Sequence, residues 1–170
     1  NKYLRDEENL KKLMRVFPII ATTCISAHNL GSPKTYFDMT VMDEASQCNT
    51  AVSLVPVICG ENLTLVGDPQ QLNPVVVLDL KTNELLKKKY SVSDEYDYVK
   101  NSVYKTFLAC DAISYEILLH NHYRCAKKII EFNNKKYYGG KLDVKTTSEA
   151  KDPLIFADVS ENTTIYKNTA

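Results

Sequence analysis

Two short apolar runs, each ending in acid, constrain this chain more than anything else in it. The first, Met39 to Met42, runs straight into Asp43 and Glu44 and then into Ala45, Ser46 and Gln47. Thr40 and Val41 are β-branched, and a run this short reads as a buried strand rather than a helix. About twenty residues on, LTLVGDPQQL repeats the pattern, with Leu63 to Val66 as strand and Gly67 and Asp68 turning out of it. Carboxylates at the carboxyl ends of such strands lie on the rim of an open α/β sheet, where these sheets bind ligands. Two strands delivering acids to one rim suit a metal–phosphate site, one acid holding Mg²⁺ while its neighbour orients or deprotonates a water. Standing alone, Asp43-Glu44 would equally suit the first turn of a helix, where the dipole favours acids.

The bulk properties limit what else the chain can be. With 170 residues it is long enough for one domain of ordinary size. Lys plus Arg equals Asp plus Glu at 21 each, so any nucleic-acid surface must come from local placement of charge. Hydrophobic content of 44% with 25% charged residues fits a soluble globular domain. No apolar run approaches the ~20 residues of a membrane span, and NKYLRDEENLKKL is too charged for a signal peptide. The expected setting is therefore the cytoplasm or nucleus, with no membrane partner. The five cysteines stand at irregular spacings without a CxxC, which supports neither a disulfide framework nor a zinc ribbon. His120, His122 and Cys125 lack a fourth ligand nearby and read as polar residues at a strand end.

Along the chain, Asn1 to Val16 has the pattern of an amphipathic helix, and Phe17 to Thr23 that of a buried strand. Cys24 to Lys34 is a loop by composition. After the first acidic strand, Thr50 to Cys59 predicts a core helix that Pro56 kinks or ends, with Gly60 as its stop. Pro69 and Pro74 bracket a rigid turn. Lys81 to Tyr98, the most polar stretch, reads as a solvated insertion or mobile loop. A short helix over Asn101 to Ala109, a strand over Ala112 to Leu119, a helix over Cys125 to Tyr138 stopped by Gly139 and Gly140, and a last strand over Pro153 to Val159 complete the order. Alternating strands and helices predict an α/β fold with a parallel sheet.

DEASQ, then GDPQQLNPVV, then HNHYRCAKKIIEFNNKKYYGGKL some fifty residues later, together resemble superfamily-one helicases, and within these the Upf-like branch. The resemblance runs from roughly Phe17 to Val159. DEASQ is similar to motif II, GDPQQLNP to motif III, and HYR to motif IV at the start of the second RecA-like domain. It implies a partial RecA-like P-loop NTPase fold, with residues 1–111 as the carboxyl-terminal half of the first RecA-like domain and 112–170 as the beginning of the second. It implies ATP as substrate, Mg²⁺ as cofactor, the remainder of the same polypeptide as partner, and single-stranded DNA or RNA as track, commonly followed 5′ to 3′ in this branch.

The same resemblance assigns roles by position. Asp43 would hold Mg²⁺ and Glu44 would activate the attacking water. Gln71 would sense the γ-phosphate, and Gly67 and Asp68 would belong to the same nucleotide site. Arg124 would act as an arginine finger and Tyr123 would stack on adenine. Thr22, Thr23 and Pro74 would face nucleic acid. Gln47 is assigned to the nucleotide site, though a hydrogen bond to the second acidic turn is the other role open to it. Arg124 as a surface ion-pair partner, Tyr123 as the cap of a core edge, and Thr22 and Thr23 as plain strand residues are the structural alternatives.

No G-x-x-x-x-G-K-[ST] phosphate loop occurs in these residues; Gly140-Lys141 is followed by Leu142. The chain is thus expected to be a central fragment that hydrolyses little ATP alone. A catalytically degenerate module that binds nucleic acid or protein is the alternative function. A metal-dependent phosphodiesterase built on Asp43, Glu44 and Asp68 is a third.

Overall fold

The computed structural model describes residues 2–147 and 153–155. The chain divides into two compact units, Asn1–Ser114 and Tyr115–Ala170. In the first, the amino-terminal helix is broken into α1 (Lys2–Arg5) and α2 (Glu7–Val16). Asp6 causes the break: its backbone is extended and its side chain accepts the Asn9 N–H at 3.0 Å, so it caps a new helix instead of continuing the old one. Strand β1 (Phe37–Met42) is followed by helix α3 (Thr50–Cys59), capped by Asn49 on the Val52 N–H at 3.0 Å. Pro56 lies inside α3, and its carbonyl accepts the Thr40 hydroxyl of β1 at 3.0 Å. Strand β2 (Gly60–Leu65) then returns parallel to β1, pairing Phe37 with Gly60 and Met42 with Leu65. This strand–helix–strand unit, with its parallel strands, is the mixed α/β arrangement expected from the alternating pattern. Met42, Ala45 and Val103 form the buried cluster beneath the carboxyl ends of the strands, with Leu63, Leu65, Val57 and Phe107 packed against it.

Helix α4 (Leu80–Tyr90) and helix α5 (Val103–Cys110) follow. The first overturns the expectation of a solvated insertion. Asp79 caps it on the Thr82 N–H at 2.9 Å, and the stretch after it is held by Asp97, which is fully buried. Asp97 accepts the Asn83 amide at 2.9 Å, the Lys87 ammonium at 2.7 Å, and the Val99 and Lys100 N–H groups at 3.0 and 3.1 Å. Leu80 and Leu85 of the same helix are exposed. Polarity is therefore inverted on α4, with Asn83 and Lys87 turned inward, and hydrophobic periodicity has nothing to detect.

Burial alone would raise the Asp97 carboxyl, but Lys87, the Lys100 N–H, Asn83 and the Val99 N–H outweigh it and hold the group well below the usual carboxylate range. A depressed carboxylate contributes stability that is complete above its unfolded value of about 4 and is lost as pH falls toward the folded value. Asp97→Ala leaves the buried Asn83 amide without its acceptor, while Lys87 keeps Asp94 at 2.6 Å, and should cost about 1–3 kcal/mol at neutral pH. Urea unfolding at pH 7 and pH 3 checks this. The gap between variant and parent should narrow at the lower pH.

Two predicted strands are not formed. Phe17–Thr23 is coil, without a ladder partner among the described residues, and lies along a groove beside β1. Residues 112–119 are likewise in no ladder among the described residues, and every one is exposed. In the second unit, pairing begins later, where β3 (Asn121–His122) lies parallel to β4 (Asp143–Val144), joined through helix α6 (Lys127–Tyr137). Gly139 and Gly140 stop α6 as expected, both at positive φ. Asn134 of α6 fastens the return, exchanging two side-chain hydrogen bonds of 3.0 Å with the backbone of Leu142. Of the strand expected over Pro153–Val159, only Pro153–Ile155 are described, and they are not strand; the rest lies outside the described residues. Among the described residues no helix is long and apolar enough to cross a membrane.

Candidate nucleotide site at the strand tips

The two acidic turns are fastened to each other by main-chain hydrogen bonds that extend the β1–β2 ladder. Val66 N–H donates to the Met42 carbonyl at 2.8 Å, and Ala45 N–H donates to the Val66 carbonyl at 2.8 Å. Ser46, fully enclosed, completes the tie by accepting the Asp68 N–H on its hydroxyl at 3.1 Å. The sequence reading overlooked Ser46. Nothing local to Ser46 in the sequence announces this tie, which is a tertiary contact. Gly67 is where the turns come closest. A Cβ there would lie 2.8 Å from the Ser46 nitrogen and 3.3 Å from that of Ala45. Gly67→Ala must therefore push backbone apart, and should cost about 1–3 kcal/mol on unfolding, together with a loss of order in the acidic turns.

Glu44 sits at φ 51°, ψ 36°, in the left-handed region. A residue with a Cβ rarely adopts this conformation, at a cost of about 1 kcal/mol or more. It turns the chain sharply after β1, so that Asp43 and Glu44 are both exposed at the rim while Ala45 and Ser46 go under it. The Asp43 Oδ1 accepts the Glu44 N–H at 2.9 Å, which steadies the turn, and its other oxygen has no partner among the described residues. The Glu44 carboxylate accepts the Gln47 amide at 3.1 Å. Gln47 thus serves Glu44, and the link to the second turn falls to Ser46 instead.

In the second turn, Asp68 accepts the Gln70 N–H at 2.9 Å and the Gln71 side-chain amide at 3.0 Å. Gln71 is exposed, and its amide oxygen has no partner among the described residues. Lys105 of α5, also overlooked in the sequence, donates to Asn73 at 2.6 Å and braces the QLNP turn just before the half-buried Pro74. Thr22 and Thr23 are exposed and line a groove of about 620 Å³ together with Met39–Asp43, so they share a surface with the first acid. The Thr23 hydroxyl accepts the Ser26 N–H at 3.2 Å.

Tyr123 and Arg124 belong to the second unit and are exposed there. The turn carrying them is pinned, since Cys125 N–H donates to His122 Nε2 at 2.9 Å and the Thr146 hydroxyl donates to the Cys125 carbonyl at 2.7 Å. Arg124 makes no ion pair among the described residues.

The donor set at the rim fits Mg²⁺ in the manner that ion prefers. Mg²⁺ keeps several waters and takes one or two carboxylates plus phosphate oxygens, not an all-protein cage. An exposed aspartate with a spare oxygen meets that need. Among the described residues no group of three or more His, Cys, Asp or Glu is placed to hold a metal.

Comparison with known proteins adds to this geometry. A family model described as an AAA domain matches residues 1–79, which hold both acidic turns. The DNA replication ATP-dependent helicase/nuclease DNA2 of Gallus gallus is 30% identical over 147 residues, 84% of this chain and 13% of that protein. Its counterpart from Mus musculus is 34% identical over 154 residues, 90% of this chain and 13% of that protein. The ATP-dependent helicase upf1 of Schizosaccharomyces pombe is 28% identical over 141 residues, 82% of this chain and 14% of that protein.

The chain is similar to superfamily-one helicases. It spans about one eighth of the length of the DNA2 relatives it matches. The similarity to these helicases continues past residue 79, since each match takes in more than four fifths of the chain. The α/β unit with parallel strands is consistent with a partial RecA-like P-loop helicase fold.

Proposed function

We propose that this chain supplies the acidic rim and the γ-phosphate sensor of an ATP-dependent translocase of the Upf-like branch, acting on single-stranded DNA or RNA. The observation that carries the proposal is the fastening of the two acidic turns through Ala45, Ser46 and Val66, which presents Asp43, Glu44, Asp68 and Gln71 on one rim. Mg²⁺, when bound, would neutralise phosphate charge and orient the nucleotide. Asp43 would hold the ion with the oxygen that the Glu44 N–H does not engage. Glu44, aimed by Gln47, accepts the proton of the attacking water. Gln71, steadied by Asp68, offers its amide oxygen to the γ-phosphate region, and the rigid QLNP turn behind it relays that contact toward Pro74. Thr22 and Thr23 contact the sugar–phosphate backbone, Tyr123 stacks on adenine, and Arg124 spreads transition-state charge. Residues 1–111 act as part of the first RecA-like lobe, and 112–170 as the opening of the second.

The motor is completed by a phosphate loop that these 170 residues do not hold. The chain alone should therefore show no ATP hydrolysis above background. The longer polypeptide that carries it should hydrolyse ATP, with stimulation by a single-stranded oligonucleotide. Steady-state phosphate release with and without oligonucleotide measures both. Turnover by the chain alone, or indifference of the longer polypeptide to nucleic acid, would sink the proposal.

A further inference from the structure

His122 has no part in the nucleotide chemistry described above, yet its half-buried side chain is spent on the turn that carries Arg124. Its Nε2 accepts the Cys125 N–H at 2.9 Å and so closes the turn over Tyr123 and Arg124. The Thr146 hydroxyl donates to the Cys125 carbonyl at 2.7 Å, and side chains thereby hold both polar groups of the residue next to Arg124. Ala126, where α6 begins, supplies no side-chain cap, so the fastening falls to His122 and Thr146. His122 has a fixed base for this task. Its carbonyl accepts the Lys145 N–H at 2.8 Å, and it pairs with Val144 across the β3–β4 ladder.

We propose that His122 is a positioning residue for Arg124 and acts as a proton-controlled latch on its turn. The latch stands on the hydrogen bonds alone, whereas its consequence for Arg124 rests on the translocase reading. A backbone N–H can only donate, so Nε2 is the unprotonated nitrogen and the neutral ring has its hydrogen on Nδ1. A proton taken from solvent occupies the Nε2 lone pair. The Cys125 N–H then loses its acceptor and faces a second N–H, while no covalent bond of the chain changes. Histidine is the side chain that ordinarily changes charge between about pH 5 and 8, so the latch holds at the upper end of that range and opens toward the lower. The charged groups of the neighbouring elements are engaged elsewhere or exposed. On β4, Val144 shares the face of His122, and Asp143 and Lys145, paired at 2.5 Å, alternate to the other face. On α6, Glu131 is engaged by Lys135 at 2.9 Å, and Lys127 and Lys128 are exposed. On its own segment, His120 Nδ1 lies 3.0 Å from the Lys141 carbonyl, and Tyr123 and Arg124 are exposed.

Two-dimensional amide NMR of the unmodified chain, titrated from about pH 8 to about pH 5, tests the latch. At the upper end the His122 ring nitrogens should show the hydrogen on Nδ1. The Cys125 amide resonance should shift with the same midpoint as the His122 ring, and the Asn9 amide, capped by Asp6 in the first unit, should not follow it. His122→Gln puts an amide oxygen about where Nε2 lies and cannot titrate, so its Cys125 amide should stay flat. A Cys125 amide that ignores the His122 titration, or a neutral ring with its hydrogen on Nε2, overturns the proposal. In the longer polypeptide, His122→Ala should lower kcat for ATP by up to about 10²-fold, the scale of a catalytic group misplaced by about 1 Å. His122→Gln should restore kcat at about pH 8 and lose less of it than the parent as pH falls toward about 5.5. If the amide follows the ring but the parent and His122→Gln share one acid limb, the latch stands and the part given to Arg124 falls, which keeps the two failures apart.

Discussion

Glu44→Gln, placed in the longer polypeptide, should lower single-turnover ATP hydrolysis about 10²- to 10⁴-fold, the range that a positioned general base contributes. The substitution is nearly isosteric. The carboxamide oxygen can still accept the Gln47 amide that now reaches the carboxylate at 3.1 Å. Glutamine is strained at φ 51° about as much as glutamate, so the turn after β1 is unchanged. Unfolding free energy should stay within about 0.5 kcal/mol of the parent, as for an exposed substitution that breaks no contact. ATP binding should survive as well, because Asp43, Asp68 and Gln71 are untouched. Loss of chemistry with retained binding and stability is the signature of a base. Hydrolysis within a few-fold of the parent would leave Glu44 as a strained turn residue and nothing more.

How much of this could be read from residues depends on which force set each part. Strands β1 and β2 were legible because apolar runs ending in acid have few other uses, and α3 because its apolar residues outweigh one proline. The pairing of the two turns was legible only as proximity. Its chemistry, the Ser46 hydroxyl under the Asp68 N–H, is a tertiary contact with no local signature. Helix α4 was missed because it is anchored by the burial of a charge, Asp97, and a polar inward face looks like a wet outward one. Phe17–Thr23 and residues 112–119 failed in the opposite direction. Their composition favours strand, but a strand exists only where a neighbour bonds to it, and neither segment is in a ladder among the described residues. Even Gln47 follows this division, since its position beside the acids was plain, whereas its choice of Glu44 over the second turn depends on the left-handed backbone at Glu44.

Arg124→Ala should be the most damaging single change to catalysis in the longer polypeptide, lowering kcat for ATP about 10³- to 10⁵-fold if the guanidinium stabilises the transferring phosphoryl group. The local structure suits a residue kept for an external charge. His122 and Thr146 pin the backbone around Cys125, so the turn is rigid while the side chain is exposed. No carboxylate among the described residues pairs with it, although this unit has Glu131 engaged by Lys135 at 2.9 Å and Asp143 by Lys145 at 2.5 Å. A surface arginine with no ion partner contributes almost nothing to stability, about 0–1 kcal/mol even when paired. The alanine variant should therefore unfold like the parent while turnover collapses. Arg124→Lys should recover little, because an ammonium cannot form the paired, planar hydrogen bonds that a guanidinium makes to phosphate oxygens. Measuring kcat, ATP affinity and urea midpoint on both variants separates the cases. Unchanged kcat in Arg124→Ala would remove the arginine from the mechanism and, with it, the catalytic part assigned to the second unit.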